Sequence, residues 1–151
     1  VTGAMVTQDG YERLLVPVDG SDAAMLALEE AMTLADQLNA SIHSLYAVDP
    51  GRAHGFTTED LVLAALEDEG EAALADVRER CQAHGVPVET TIERGHPSDA
   101  ILDYATDNGM DLVVMATHGR RGLDRFLLGS VTEHVIRHAT VPVLTVRAPA
   151  E

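Results

Sequence analysis

The chain has 151 residues, of which 46% are hydrophobic, so it has the size of one domain and enough apolar side chains for a core, which excludes bulk disorder. Its 25 acidic and 10 basic residues give a formal charge of −15, and a field of that sign argues against DNA or RNA binding. The single cysteine excludes an internal disulfide or a C-x-x-C zinc pair, and no apolar run reaches the roughly 20 residues needed to cross a bilayer.

The first ten residues show no periodic pattern, so we predict a flexible arm over residues 1–10 and one domain over residues 11–148. Apolar runs and helical spacing predict the elements that follow. They are a strand over 14–18, a helix over 22–38 capped by Ser21 or Asp22, a strand over 42–48, and an acidic helix over 59–83 that ends at Gly85. Gly70 is the point at which this long helix could be interrupted.

The second half of the chain continues the alternation. It contains a strand over 88–92, a helix over 98–106, a strand over 112–116, a loop over 117–129, a helix over 130–138 and a last strand from Val141 to Val146. This order predicts an α/β fold, a single doubly wound domain whose five-stranded parallel sheet has helices on both faces. Alternation does not reveal the strand order. We expect 3-2-1-4-5, in which the carboxyl ends of strands 1 and 4 flank the point where ligands bind.

Two segments meet at that point of the expected sheet. One is 17–21, Pro-Val-Asp-Gly-Ser, and the other comprises 116–119 and 129–132 on either side of a loop. Glycines let backbone N–H groups approach a phosphate, and the first N–H groups of a helix are unpaired. The same letters also fit a capping box, with Ser130 as the cap and Glu133 three residues later. Spacing alone leaves both interpretations open.

The basic residues are all arginine. An acidic chain without lysine is typical of a salt-adapted cytoplasm, where mobile ions screen crowded carboxylates, although high-GC codon usage is an alternative explanation. We therefore predict a cytoplasmic protein from a halophilic archaeon; the N-terminus also lacks a signal-peptide pattern. Arg120, Arg121 and Arg125 lie in the loop before the last helix. They could neutralise a triphosphate, or pair with carboxylates in a solvated loop.

The remaining polar residues give weaker signals. His134 and His138 are four residues apart on the predicted last helix, but two ligands alone make a weak metal site. Cys81 lies on the long helix and is expected to be a small buried side chain. The sequence pattern reveals no activated nucleophile, acid–base pair or metal cluster that would favour rapid enzymatic turnover.

A family resemblance sharpens the nucleotide interpretation. Ala116-Thr117-His118-Gly119, nine residues, and then Gly129-Ser130, with Pro-Val-Asp-Gly-Ser near the start, resembles the universal stress protein family over residues 11–147. Nucleotide-binding members of that family carry G-x2-G-x9-G-[S/T]. Here Ala116 stands in place of the first glycine, and its added methyl group is expected to weaken nucleotide binding without abolishing it.

The resemblance implies an adenine nucleotide alpha hydrolase-like fold and a site for ATP with Mg²⁺. It places Pro17, Val18 and Asp19 on the adenosine side and Ala47 beside the adenine. It places the phosphates on the second segment, so that the remaining predicted site residues are Ala116, Gly119, Arg120, Gly129, Ser130, Val131 and Thr132.

The predicted function is that of an ATP-binding stress-response sensor or switch. A nucleotide-free dimeric interaction module of the same fold and a slow ATPase are the alternatives. The last strand, from Val141 to Val146, is apolar and lies at the sheet edge in the expected order, where an uncovered strand tends to associate. The resemblance implies that it pairs with the same strand of a second chain to form a homodimer.

Overall fold

The computed structural model of the protein describes residues 10–55, 57–118 and 128–147. Its strands are β1 (Arg13–Pro17), β2 (Ser41–Val48), β3 (Val88–Arg94), β4 (Leu112–Ala116) and β5 (Val143–Val146). Its helices are α1 (Asp22–Leu38), α2 (Glu59–Ala83), α3 (Pro97–Asp107) and α4 (Ser130–His138), with a 3-10 turn at Pro50–Ala53. The predicted alternation is confirmed. The predicted arm, apart from Gly10, lies outside the described residues.

The sheet is parallel throughout and its strand order is β3-β2-β1-β4-β5, which confirms the predicted 3-2-1-4-5 topology. The central strand β1 pairs with β2 on one side and β4 on the other, with Leu14 opposite both Ile42 and Leu112. Parallel strands in the middle of such a sheet are covered on both faces, and Leu14, Leu15 and Val16 are completely buried. The carboxyl ends of β1 and β4 are therefore neighbours.

Helices cover the two faces of the sheet in pairs. Leu14 and Val16 belong to the apolar cluster on the α1 and α2 side, whereas Leu15 belongs to the cluster formed with α3 and α4. This division follows from strand geometry, because successive side chains of β1 point to opposite faces. Helix α1 begins at a capping serine, Ser21, whose hydroxyl accepts from the Ala24 N–H at 3.2 Å.

Helix α2 is continuous through Gly70, so the predicted possibility of an interruption there is wrong. The glycine has a packing role. A Cβ atom at position 70 would lie 2.7 Å from Cδ1 of Tyr46, a side chain of β2 that is 2% exposed. Gly70 therefore allows α2 to pack directly on an aromatic ring. The helix ends before Gly85, whose φ of +70° suits a residue without a side chain.

Two further predictions concern smaller features. Strand β5 begins at Val143 and not at Val141, because Pro142 lacks an N–H and contributes only its carbonyl, which accepts from the Val113 N–H at 3.0 Å. Cys81 is buried as predicted, and burial raises the pKa of its thiol to about 11. Within the described ranges, no helix is long and apolar enough to cross a membrane.

Candidate functional site

The turn after β1 is held by a backbone hydrogen bond to β2 and by two of its own side chains. The Val18 N–H donates to the Leu45 carbonyl at 2.9 Å, which continues the sheet pairing by one residue and buries the Val18 side chain. The Asp19 carboxylate accepts from the Ser21 N–H at 2.9 Å, and Ser21 in turn caps α1. These bonds fix the backbone where the predicted adenosine side of the site begins.

The end of β4 is joined to the beginning of α4 by two hydrogen bonds. The Gly129 N–H donates to the Thr117 carbonyl at 2.7 Å, and the Thr132 hydroxyl donates to the Ala116 carbonyl at 2.9 Å. A third bond, from the Thr117 N–H to the Val146 carbonyl at 3.0 Å, ties the same turn to β5. The two halves of the predicted phosphate segment are therefore adjacent.

The N-cap of α4 is Gly129, so the capping box with Ser130 as the cap, one of the two interpretations that the spacing left open, is wrong. Ser130 is the first helical residue. The Glu133 N–H donates to the Gly129 carbonyl at 2.9 Å, the first hydrogen bond of the helix, and this bond identifies Gly129 as the N-cap. The Glu133 carboxylate instead pairs with Arg137 at 3.1 Å. No side chain among the described residues caps this helix end. The N–H groups in the first turn of a helix are groups that can bind an anion.

The predicted phosphate residues differ in exposure. Ser130 is exposed, whereas Thr132 is 3% exposed and its hydroxyl proton is engaged by the Ala116 carbonyl. Val131 is half-buried against the α3-side core. Ser130 thus offers a hydroxyl group to a ligand, while Thr132 holds the helix start against the end of β4.

The predicted adenine side lies at the same edge of the sheet. Pro17 pairs with Leu45, so Ala47 lies two residues farther along β2, beyond the end of β1. Pro17 and Ala47 are both half-buried. The structure brings Pro17, Ala47 and Ala116 to the carboxyl ends of three adjacent strands.

Two predicted site residues, Gly119 and Arg120, lie outside the described residues, as do Arg121 and Arg125. At the described part of this edge, Arg147 is an exposed cation that directly follows β5. Among the described residues, no group of three or more histidine, cysteine or acidic side chains could hold a metal ion.

A polar cluster at the opposite end of the sheet was missed by the sequence analysis. It contains Ser41 and His43 of β2 and Glu89 of β3, which lie at the amino ends of their strands. The spacing of Ser41 and His43 is a usable signal, because alternate residues of a strand share a face. The contribution of Glu89 depends on the β2–β3 register, in which His43 and Glu89 are partners.

Comparison with known proteins gives consistent matches along the chain. The model of the universal stress protein family matches residues 10–147. The universal stress protein MJ0531 of Methanocaldococcus jannaschii is 37% identical, over 92% of this chain and 84% of its own length. The solved structure of MJ0577, from the same organism, has a TM-score of 0.85 at 28% identity, and the match covers 93% of this chain and 99% of that one.

A second solved structure adds a ligand to the comparison. It is a universal stress protein in complex with cAMP, and it has a TM-score of 0.68 at 28% identity. The match covers 91% of this chain and 97% of that protein.

Proposed function

The chain belongs to the universal stress protein family, and from this premise we propose that it binds ATP with Mg²⁺ and acts as a sensor or switch in a stress response. The observation that carries the proposal is the glycine-capped start of α4 at the carboxyl end of β4. Helix starts of this kind, at the switch point of a parallel sheet, are suited to bind phosphate groups.

The preference for an adenine nucleotide has two supports. The first is the motif resemblance, in which Gly119, Gly129 and Ser130 match the second glycine, the third glycine and the hydroxyl residue. The second is the related protein that was solved in complex with cAMP, which is itself an adenine nucleotide. In our proposal, Pro17, Val18 and Asp19 contact the adenosine.

The phosphates would be held mainly by backbone groups. The N–H groups of Ser130, Val131 and Thr132 open α4, and the exposed Ser130 hydroxyl adds a further donor. The N-terminal end of the helix dipole favours a negative ligand, which matters in a chain with a formal charge of −15. Bound Mg²⁺ would neutralise part of the triphosphate charge, and the N–H groups of this chain would donate to the phosphate oxygens.

The proposed switch connects the phosphate site to the sheet edge. The Thr117 carbonyl accepts from Gly129, while the Thr117 N–H donates to Val146 of the edge strand β5. A ligand that alters the turn at Thr117 would therefore act directly on β5. We propose that β5 is the homodimer contact, with the segment from Val141 to Val146 pairing with its copy. Leu144, which is 37% exposed, supplies apolar surface there.

The test of nucleotide binding begins with the protein as purified. Mass spectrometry after denaturation should release ATP, because a tightly bound nucleotide is carried through purification. The folded, nucleotide-stripped protein is then titrated with ATP and Mg²⁺ in high salt. An absence of binding up to millimolar ATP would favour the nucleotide-free dimeric module, and phosphate release during the titration would favour a slow ATPase. Light scattering should show twice the 16.1 kDa chain mass, and a monomer at micromolar concentration would contradict the dimer.

We also propose that the chain is adapted to a salt-rich cytoplasm. With 25 acidic and 10 basic residues, carboxylate repulsion in the folded state should grow when salt is removed. The melting midpoint of the stripped protein should therefore be higher in molar KCl than in dilute buffer. The nucleotide concentration is held constant, because a bound ligand also shifts the midpoint. Equal midpoints would remove this part of the proposal.

A further inference from the structure

A polar cavity opens at the amino end of the sheet, away from the proposed nucleotide site. Its volume is about 580 Å³, and its lining includes Arg13, Ser41, His43, Glu89 and Asn108. These residues come from the starts of three strands and from the end of α3. The nucleotide proposal uses none of them.

His43 lies in the middle of this cavity with 12% of its side chain exposed. Its Nδ1 atom is 3.5 Å from the Glu89 Oε1 atom, and its Nε2 atom is 3.5 Å from the Ser41 Oγ atom. When Nδ1 carries the proton and faces the carboxylate, the Nε2 lone pair faces the hydroxyl group. That is the order of hydroxyl, imidazole and carboxylate that activates a serine nucleophile.

Both distances lie at the long end of the hydrogen-bond range. Bonds between catalytic groups are commonly long in free enzymes and shorten when a substrate is bound. Each of these two contacts also has a competing partner: Tyr104 competes for His43 Nδ1, and the Glu12 carbonyl competes for the Ser41 hydroxyl proton. The Tyr104 hydroxyl is 3.4 Å from Nδ1, and the Glu12 carbonyl accepts from the Ser41 hydroxyl at 3.4 Å. Tyr104 thus helps to fix the ring, while rotation about one Ser41 bond moves the hydroxyl proton between the carbonyl and the imidazole.

Burial favours the neutral imidazole that a general base requires. Burial lowers the pKa of His43 below its ordinary value of 6.5. The Glu89 carboxylate raises this pKa, and the Arg13 guanidinium lowers it further. Asp107 is the remaining charged group in the cavity lining. A lowered pKa favours the form of His43 whose free nitrogen can accept a proton.

Arg13 gives the cavity a fixed positive charge. Its guanidinium Nη1 donates to the Asn108 carbonyl at 2.9 Å, and its backbone N–H donates to the Asp111 carboxylate at 2.9 Å. The first bond holds the side chain against the end of α3, and the second holds the start of β1. A cation fixed in this way can stabilise the negative oxygen that develops during acyl transfer.

We propose that this cavity is an ester-hydrolysing site in which Ser41 is the nucleophile, His43 the general base and Glu89 the residue that positions His43. The Ser41 oxygen attacks the carbonyl carbon of a small carboxylic ester while His43 Nε2 takes the hydroxyl proton. The bond from the carbonyl carbon to the alkoxy oxygen breaks, and the alcohol leaves with that proton. Water then attacks the acyl carbon, and His43 Nε2 takes one water proton. The bond from the acyl carbon to Ser41 Oγ breaks, Oγ takes that proton from His43, and the carboxylic acid is released.

Two probes test the proposal on the full chain. The first is a fluorophosphonate, in which the serine oxygen displaces fluoride from phosphorus, and the second is p-nitrophenyl acetate. Mass spectrometry should locate the phosphonyl group on Ser41, and Ser41→Ala should lose both the label and the hydrolysis above background. The melting midpoint of Ser41→Ala is measured alongside, so that misfolding is recognised.

Glu89→Gln provides an independent arm, because the Glu89 side chain is 74% exposed and its replacement leaves the core intact. Hydrolysis should fall by about tenfold or more, as expected when a base loses its orienting carboxylate. The acid limb of the pH–rate profile should move to lower pH, because Glu89 no longer raises the His43 pKa. A purely structural role would leave that limb in place.

Glu93→Gln is the matched control, since it removes an exposed carboxylate from the same face of β3, four residues farther along. It should keep the wild-type rate and pH profile. The proposal is overturned if Ser41 is not labelled, if Ser41→Ala retains the hydrolysis, or if Glu89→Gln and Glu93→Gln behave alike.

Discussion

The two ends of the sheet are built from different chemical groups. At the carboxyl end, the groups that we propose for the nucleotide phosphates are mainly backbone N–H groups at the start of α4, and the N-cap there is a glycine. At the amino end, the groups are the side chains of Ser41, His43 and Glu89, brought together by strand register. An added Cβ atom should therefore damage the first site, whereas loss of a polar atom should damage the second.

The largest effect is expected from Gly129→Val at the carboxyl end. The added side chain blocks the approach of phosphates, and losing two hydrogen bonds to a charged group costs about 3 kcal/mol, or roughly a hundredfold in ATP affinity. Calorimetry on the stripped protein measures this loss. Labelling of Ser41 at the other end should be unchanged.

Gly129→Ser separates steric blocking from stability. The φ of −65° at Gly129 is open to any residue, and serine is a good N-cap. This variant should melt no lower than the wild type and still lose ATP affinity. Wild-type ATP affinity in Gly129→Ser would contradict a site built from backbone groups.

The second effect in size concerns a position between the two ends. Gly70→Ala places a methyl group 2.7 Å from the Tyr46 ring, and overpacking of this kind costs about 1–3 kcal/mol of unfolding free energy. Urea denaturation measures the change. Because Gly70 belongs to neither site, ATP binding and Ser41 labelling by the folded fraction should keep their wild-type values. An unchanged denaturation midpoint would show that α2 can shift away from the ring.

Ser130→Ala is a finer test of the carboxyl end. Ser130 is the first residue of α4 and not its cap, so its replacement should leave the stability nearly unchanged. ATP affinity should fall by about 1.5 kcal/mol, roughly tenfold, through the loss of one hydrogen bond to a charged phosphate. Calorimetry measures the ATP affinity of the variant, and a thermal melt measures its stability. A loss of stability without a loss of ATP affinity would show that Ser130 has a structural role and does not bind phosphate.

The smallest effect is a pH dependence at the amino end. Because burial lowers the pKa of folded His43 below 6.5, the unfolded chain binds a proton first as the pH falls. Stability should therefore decrease from about pH 6.5 down to the folded-state pKa and become level below it. His43→Gln should show a smaller loss of melting midpoint between pH 7 and pH 5 than the wild type. Glu89→Gln should show a larger one, because Glu89 raises the His43 pKa.

The parts of this molecule that were predictable are those set by nearby residues. Apolar runs and glycines predicted every strand and helix of the described chain, and the doubly wound order then placed 17–21 and 129–132 at one edge. The cap of α4 was left open between two interpretations, because the same residues suit both, and the bond from the Glu133 N–H to the Gly129 carbonyl distinguishes them. The Ser41, His43 and Glu89 cluster was not predicted, because it depends on contacts between distant segments.

The bond between Gly129 and Thr117 has a consequence for protein engineering. It closes the base of the segment 118–128 with an N–O distance of 2.7 Å, and Thr132 adds a second attachment at the same base. When the base of a loop is fixed, each doubling of loop length costs only about 0.6 kcal/mol in closure entropy. A fluorescent domain could therefore be inserted within this segment while the strands and α4 keep their places.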